Sequence, residues 1–152
     1  YQSVYTLTHY HSSKETMFYQ IHTTLHEQNN SRLELTPLHM IFVEGKINPV
    51  PAKDVKVGDF LRSIDGVEEV TSVRAITRKG LYNPITTDGT IVVDGIIVST
   101  YTSFTGTSNL DIAGYEFMSI QNLMDITFAP YRYVCMSISY GLCNRHGQDE
   151  LS

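Results

Sequence analysis

The chain has 152 residues, of which 41% are hydrophobic and 18% charged, and its formal net charge at pH 7 is −5. This length suits one globular domain with a buried core. The acidic balance and the scattered Lys and Arg residues argue against a nucleic-acid partner, which would require clustered basic residues. No apolar run approaches the roughly 18 residues that a membrane-spanning helix needs, so we expect no stable membrane span.

The first hundred residues are short apolar runs separated by turn residues, a pattern typical of a β-rich domain. Hairpin and turn signals occur at Asp65-Gly66, Asp88-Gly89 and Asp94-Gly95. The chain opens in a strand-like segment, and the strands predicted after it cover residues 18–23, 32–36, 40–43, 60–64, 69–77, 90–93 and 96–101. The sequence therefore predicts an all-β fold over residues 1–106.

The composition shifts after about Gly106, and from Tyr115 apolar residues recur at helical spacing. We expect one helix that Pro130 ends and a second from about Tyr131 to Tyr140. These helices form a short C-terminal extension over residues 107–143, followed by a polar tail at 144–152. Cys135 and Cys143 are too few for a disulfide framework and match no zinc signature, so two separate thiols are expected.

Six histidines raise the question of a metal site. His9 and His11 share one face of a strand-like segment, and His22 and His26 lie four residues apart across a turn. No third ligand follows at a suitable spacing. We expect no metal and no other cofactor, and a metal-dependent hydrolase is the weakest functional alternative.

The segment Thr36-Pro37-Leu38-His39 lies between two predicted strands. A tight turn there can place a hydroxyl and an imidazole on one side of the chain. Imidazole is the usual group that donates a proton to a departing amide nitrogen, although the same spacing also suits a histidine that merely caps a turn.

Four stretches resemble the autoprocessing domain of hedgehog proteins, a member of the hedgehog/intein (Hint) class, and they occur in the same order. They are residues 33–43 with the Thr-x-x-His motif, 54–59 with a Val/Gly/Asp turn, 80–96 with two late strands, and 128–132 with a helix-turn pattern. The resemblance spans roughly residues 1–140. It implies the Hint fold of short, twisted strands with a short helical C-terminal extension.

In that family an N-terminal cysteine attacks the preceding glycine carbonyl and converts the amide into a thioester. A sterol hydroxyl or water then releases the upstream part. The resemblance assigns to His39 the role of proton donor to the amide nitrogen, and to Thr36 the orientation of the scissile bond or of the imidazole. The partners it implies are the upstream part of the precursor and a sterol acceptor.

The sequence departs from the family at the nucleophile. Neither Cys135 nor Cys143 occupies its place, and the resemblance puts the first third of the module before Tyr1. We therefore expect this polypeptide alone to be inactive. The chain also lacks the terminal His-Asn pair of inteins, which disfavours protein splicing.

Two further departures concern the acceptor step and redox control. The family activates the acceptor hydroxyl with an aspartate at the position that His9 holds here, and a neutral histidine can also take a proton from a hydroxyl. Thr100 stands where the family often has a cysteine.

We expect self-cleavage of a larger secreted precursor in the secretory pathway; the alternative is a non-catalytic Hint remnant that acts as an interaction module.

Overall fold

A computed structural model of the chain describes residues 4–25, 32–137 and 143. Its strands are β1 (Val4–Thr23), β2 (Leu33–Leu35), β3 (His39–Ile41), β4 (Val50–Pro51), β5 (Phe60–Ser63), β6 (Gly66–Thr86), β7 (Thr90–Val93), β8 (Ile96–Thr102), β9 (Asn109–Ile112) and β10 (Tyr115–Ser119). A 3₁₀ turn covers Ala52–Asp54, and the helix α1 covers Ile120–Ser137. The polar tail predicted at 144–152 lies outside the described residues.

Within the described residues, eight strands form one sheet in the order β2-β1-β6-β5-β8-β3-β4, and β7 pairs with β8. The long strands β1 and β6 run antiparallel from Val4 opposite Thr86 to Thr23 opposite Val70, with several register shifts. This ribbon places the C-terminal half of β6 beside the N-terminal half of β1. The fold is all-β, as the sequence predicted, with a helix near the C-terminus.

The hairpin between β7 and β8 shows how turn residues fix the strands. Asp94 and Gly95 both have positive φ, at 48° and 84°, and Val93 pairs with Ile96. Two successive positive φ angles suit the twist of a two-residue hairpin, and Asp-Gly adopts them readily. The predicted turn at this position is confirmed.

Two groups of buried side chains form the core. The larger lies among the β-strands and comprises Ile21, Leu33, Leu35, Ile41, Val43, Val50, Ala52, Val55, Leu61, Val70, Ile96 and Val98. The smaller, Tyr5, Ile85, Tyr101, Cys135 and Cys143, packs with Met124 and Phe128 of α1. Met124, Phe128 and Cys135 lie at helical spacing on one face, so this second cluster attaches α1 to the sheet.

The prediction of a helix from Tyr115 is wrong, because Tyr115–Ser119 is the strand β10. β10 pairs with β9 across a two-residue turn at Ala113 and Gly114, whose φ angles are 54° and 84°. Because this tight turn reverses the chain, the residues after it pair antiparallel with β9. The predicted C-terminal helical structure begins only after β10, at Ile120.

Pro130 does not end the helix, contrary to the prediction, and lies inside α1. Proline cannot donate to the carbonyl of the residue four positions earlier, here Ile126. Both Pro130 and Ile126 are exposed, so water can satisfy that carbonyl. The helix therefore continues to Ser137.

No helix in the described part of the chain is long and apolar enough to cross a membrane.

The expectation of two separate thiols is also wrong, since Cys135 and Cys143 form a disulfide. A continuous helix would separate two Cα atoms eight residues apart by about 12 Å. The observed Cα–Cα distance is 5.7 Å, within the range for a disulfide. The bond links the end of α1 to Cys143, whose carbonyl accepts a hydrogen bond from the Thr6 hydroxyl of β1 (3.5 Å).

Candidate functional site

The backbone around His39 is held on three sides. The His39 N–H donates to the Thr36 carbonyl at 3.0 Å and closes a tight turn, in which Pro37 takes the position that proline favours. Lys53 N–H donates to the Pro37 carbonyl (2.9 Å) and Ser103 N–H to the Leu38 carbonyl (2.8 Å). Thr36 and His39 are thus fixed at the entrance to β3.

A bulge in β8 supplies the partner of the His39 imidazole. On β3, His39 pairs with Thr102 and Ile41 with Val98, so two extra residues are inserted on the β8 side. The carbonyl of Ser99, within this bulge, lies 2.6 Å from His39 Nε2. A carbonyl only accepts hydrogen bonds, so Nε2 carries the hydrogen and Nδ1 is the nitrogen that gains and loses a proton.

Burial lowers the pKa of His39 below its ordinary value of 6.5, and the hydrogen bond to Ser99 opposes this shift in part. The imidazolium is disfavoured because apolar side chains replace the water around it. At neutral pH the ring is therefore neutral. Its Nδ1 lone pair can accept a proton, and the imidazolium formed is a stronger acid than ordinary histidine.

This pKa shift makes the stability of the fold depend on pH. Above pH 6.5 His39 is neutral in both the folded and the unfolded chain, and its contribution to the free energy of unfolding is complete. Below pH 6.5 the unfolded chain binds a proton at His39 and the folded chain does not, which favours unfolding. The contribution is lost as the pH falls toward the lowered pKa. We expect wild type to lose its stability advantage over His39→Gln in this window, as measured by urea unfolding from pH 7.5 to 5. A constant difference would contradict the shift.

Thr36 and His39 line one cavity of about 600 Å³. Its walls come from β1, β2, β3, β6, β7 and β8 and from the turn before β3. They are mostly apolar: Phe18, Leu35, Pro37, Leu38, Leu81, Tyr82, Pro84, Ile91, Val93 and Val98, with Glu34, Asn83, Thr100 and Thr102 as further polar residues. Arg78 pairs with Glu34 at 3.0 Å. Because that ion pair occupies Glu34, the histidine is the proton-transfer group that stands out in this cavity.

Thr100 contributes a buried hydroxyl to the same cavity wall. Its side chain is fully buried, and its Oγ1 has no hydrogen-bond partner within the described part of the chain. A smaller neighbouring cavity of about 240 Å³, between the sheet and α1, is also lined by Thr100. The hydroxyl is available to bond a polar atom that enters either cavity.

An unpaired buried hydroxyl costs stability, so Thr100→Val is expected to raise the free energy of unfolding by about 1 kcal/mol. The matched control is Thr86→Val, because the buried Thr86 hydroxyl donates to the Thr90 carbonyl at 2.7 Å. That variant is expected to lose about 1 kcal/mol. Urea denaturation measures both, and equal losses would contradict the unpaired state of Thr100.

His9 lies in β1 opposite Asn83, a residue that lines both cavities. The side chain of His9 lies outside the described part of the structure. His26 and His146 also lie outside the described residues. Among the residues that are described, no group of three His, Cys, Asp or Glu side chains could hold a metal ion.

The sequence did not reveal Ser99, whose carbonyl binds the His39 imidazole, or the residues that hold Ser99 in place. Ser99, Gln121 and Gly89 belong to β8, α1 and the turn before β7, and contacts between such distant segments leave no local pattern. Only the Asp88-Gly89 turn signal marked one of them.

The chain is similar in sequence to two hedgehog proteins. The chain is 34% identical over 102 residues to the Indian hedgehog protein of Xenopus laevis, a match that covers 60% of the chain and 24% of that protein. It is 35% identical over 98 residues to the Indian hedgehog protein of Gallus gallus, covering 57% of the chain and 23% of that protein. The chain therefore spans about a quarter of the length of these relatives.

Among solved structures, the VidaL intein aligns with a TM-score of 0.49 and 16% identity over 61% of each chain. The PabCDC21-1 intein aligns with a TM-score of 0.46 and 21% identity, covering 57% of this chain and 55% of that one. The profile of the Hint module family matches residues 1–148. The chain belongs to the Hint module family.

Proposed function

We propose that this chain carries the proton-handling part of a Hint domain that cleaves its own precursor through a thioester. The observation that supports this most is the state of His39. Its Nε2–H is bound to the Ser99 carbonyl, its pKa is lowered, and Nδ1 has no hydrogen-bond partner within the described part of the chain. A neutral imidazole fixed beside a cavity can accept a proton and then release it to a nearby atom.

The proposed first step is an N-to-S acyl shift. His39 Nδ1 takes the proton of a cysteine thiol, and the thiolate attacks the carbonyl carbon of the preceding glycine. As the carbon–nitrogen bond breaks, the imidazolium returns the proton to the amide nitrogen, and a thioester remains. Thr36, on the same wall, orients the scissile amide or the imidazole.

The nucleophile has to come from outside the two cysteines of this chain. Cys135 and Cys143 are joined to each other, and a disulfide sulfur has no thiolate with which to attack a carbonyl. We propose that the attacking cysteine lies in a precursor segment that precedes residue 1 and that its thiol enters the cavity of Thr36 and His39.

The proposed second step releases the upstream part. A sterol hydroxyl or water attacks the thioester carbonyl, and the cysteine thiolate leaves. His9 accepts the proton of the attacking hydroxyl. The backbone position of His9 opposite the cavity-lining Asn83 supports this assignment.

The test is a precursor in which the natural upstream sequence, including a Gly-Cys junction, is joined to this chain. Hydroxylamine, which attacks thioesters, is expected to release the upstream part in a reaction that requires the junction cysteine. Mass spectrometry should find a hydroxamate at the terminal glycine. A precursor that folds but yields no hydroxamate would contradict the proposal.

His9→Ala is expected to leave hydroxylamine-induced cleavage unchanged and to slow release by added cholesterol or by water about 100-fold, because only the second step loses its base. His9→Asp should restore much of the rate, since a carboxylate can accept the same proton. The control is His11→Ala, an exposed histidine of the same strand. Equal slowing of both steps would contradict a separate role for His9.

The disulfide supports a place in the secretory pathway. Stable disulfides form in oxidising compartments and are rare in the cytosol. The bond between Cys135 and Cys143 and the similarity to hedgehog proteins both favour a precursor that is processed on its way out of the cell.

A non-catalytic interaction module is the second candidate. Large apolar side chains of β10 and α1 are exposed, among them Tyr115 (80%), Phe117 (65%) and Tyr133 (68%). Exposed apolar surface of this kind is common at interaction sites. The precursor experiment separates the two candidates, since an interaction module would bind partners without producing a hydroxamate.

A further inference from the structure

The first residues of α1 are bonded to the same bulge of β8 that holds His39. The Ser99 hydroxyl donates to Gln121 Oε1 at 2.6 Å and accepts from the Tyr101 N–H at 2.9 Å. Gln121 Nε2 also donates to the Gly89 carbonyl (3.4 Å), which accepts from the Thr100 N–H (2.9 Å). The side-chain amide of Gln121 therefore links β8 to the turn that precedes β7.

One turn further along the helix, a second contact fixes the same bulge. The Tyr101 hydroxyl donates to Asp125 Oδ1 at 2.9 Å, and the Tyr101 ring stacks on Phe128 with centroids 5.7 Å apart. Ser99, Thr100 and Tyr101 are almost completely buried. The peptide units of the bulge are thus held by α1 on one side and by β7 on the other.

The space around Gly89 shows how closely these groups are packed. A Cβ at this position would lie 2.7 Å from the Tyr101 ring, 2.8 Å from the Asp125 carboxylate and 2.9 Å from the Gln121 amide. Gly89 also has a φ of +69°. Only glycine fits such a close approach, so α1 and the bulge are in close contact at this point.

We propose that Gln121 is a positioning residue for His39, acting through Ser99. Gln121 holds the Ser99 side chain, the bulge fixes the direction of the Ser99 carbonyl, and that carbonyl selects the nitrogen of His39 that bears the hydrogen. The structural part of this inference needs only the chain itself. Its consequence for cleavage rests on the proposed function.

The physical effect of losing Gln121 follows from the contacts. Without the amide, the Ser99 hydroxyl loses its acceptor and the Gly89 carbonyl loses one donor, inside a buried region where unpaired polar groups are costly. The bulge then relaxes to find other partners, and the Ser99 carbonyl turns away from Nε2. Either ring nitrogen of His39 can bear the hydrogen once this bond is lost.

The decisive experiment is nitrogen-15 NMR of the folded chain labelled at histidine, with His39→Gln to assign the His39 signals. Above pH 7, wild type is expected to show His39 with the hydrogen on Nε2. Gln121→Ala and Ser99→Ala should each show a mixture of the two tautomers. Asn122→Ala is the control, because it removes an exposed amide from the adjacent position of α1.

The double variant tests whether the two residues act on one path. If Gln121 acts through the Ser99 hydroxyl, the tautomer ratio of Ser99→Ala/Gln121→Ala should equal that of Ser99→Ala alone, whereas independent effects would add. Gln121→Glu keeps an acceptor for the Ser99 hydroxyl and should restore most of the wild-type ratio. Circular dichroism confirms that each variant is folded.

An unchanged tautomer in folded Gln121→Ala would overturn the proposal, as would a change of equal size in Asn122→Ala. In the precursor, Gln121→Ala should slow hydroxylamine-induced cleavage by roughly 100-fold, the scale expected when a reacting group is misplaced by about 1 Å. If the precursor never forms a thioester, the proposed function fails, while the tautomer measurement still decides the role of Gln121.

Discussion

Replacing His39 by alanine is expected to reduce thioester formation in the precursor by at least about 100-fold, the lower end of what a positioned acid–base group contributes. The amide nitrogen leaves only when a proton reaches it, and His39 is the imidazole among the described residues that line this cavity. Release of the upstream part by hydroxylamine measures the step, with the rate taken from single-turnover time courses.

His39→Gln is the matched variant for this prediction. Glutamine can place an N–H near the Ser99 carbonyl, as Nε2 does at 2.6 Å, but it has no nitrogen that titrates near neutral pH. We expect it to be folded and as slow as His39→Ala. Wild-type rates in either variant would contradict the role of His39 and, with it, the proposed mechanism.

Gly89→Ala is expected to lower the free energy of unfolding by about 3 kcal/mol, from a strained positive φ and an overpacked core together. The new methyl group would meet the Tyr101 ring, the Asp125 carboxylate and the Gln121 amide at less than 3.0 Å. The carboxylate and the amide are hydrogen-bonded to Tyr101 and Ser99, so moving away from the methyl group would break those bonds. Urea unfolding followed by tyrosine fluorescence measures the loss, since the chain has 10 Tyr and no Trp.

Gly114→Ala separates the two contributions. Gly114 has a similar φ of +84°, but a Cβ there would meet nothing within 4 Å. It is expected to cost about 1 kcal/mol through backbone strain alone. Similar losses in the two variants would show that the packing of α1 on the bulge is looser than the structure indicates.

The β-strands could be predicted from the sequence where turn chemistry is local. Asp94-Gly95 and the residues flanking it specify a hairpin without help from the rest of the chain. The Ala113-Gly114 turn was missed because alanine rarely adopts a positive φ. The apolar spacing of Tyr115 and Phe117 was then assigned to a helix, although both residues belong to β10.

The candidate site was predictable only in part for a similar reason. Thr36 and His39 lie within four residues, and a single turn brings them to one cavity wall. Ser99 meets His39 only after β8 has paired with β3, and Gln121 meets Ser99 only after α1 has packed on the sheet. The Cys135–Cys143 pairing likewise depends on a chain reversal that composition does not encode.

The Cys135–Cys143 disulfide gives dithiothreitol two targets in this protein. A dithiol would cleave the thioester and would also open the bond that links the end of α1 to the β1 contact through Thr6. Hydroxylamine attacks the thioester and spares disulfides. The rates of hydroxylamine-induced release from wild type and from Cys135→Ser/Cys143→Ser, compared without any reductant, therefore show how far the covalent attachment of α1 supports the reaction.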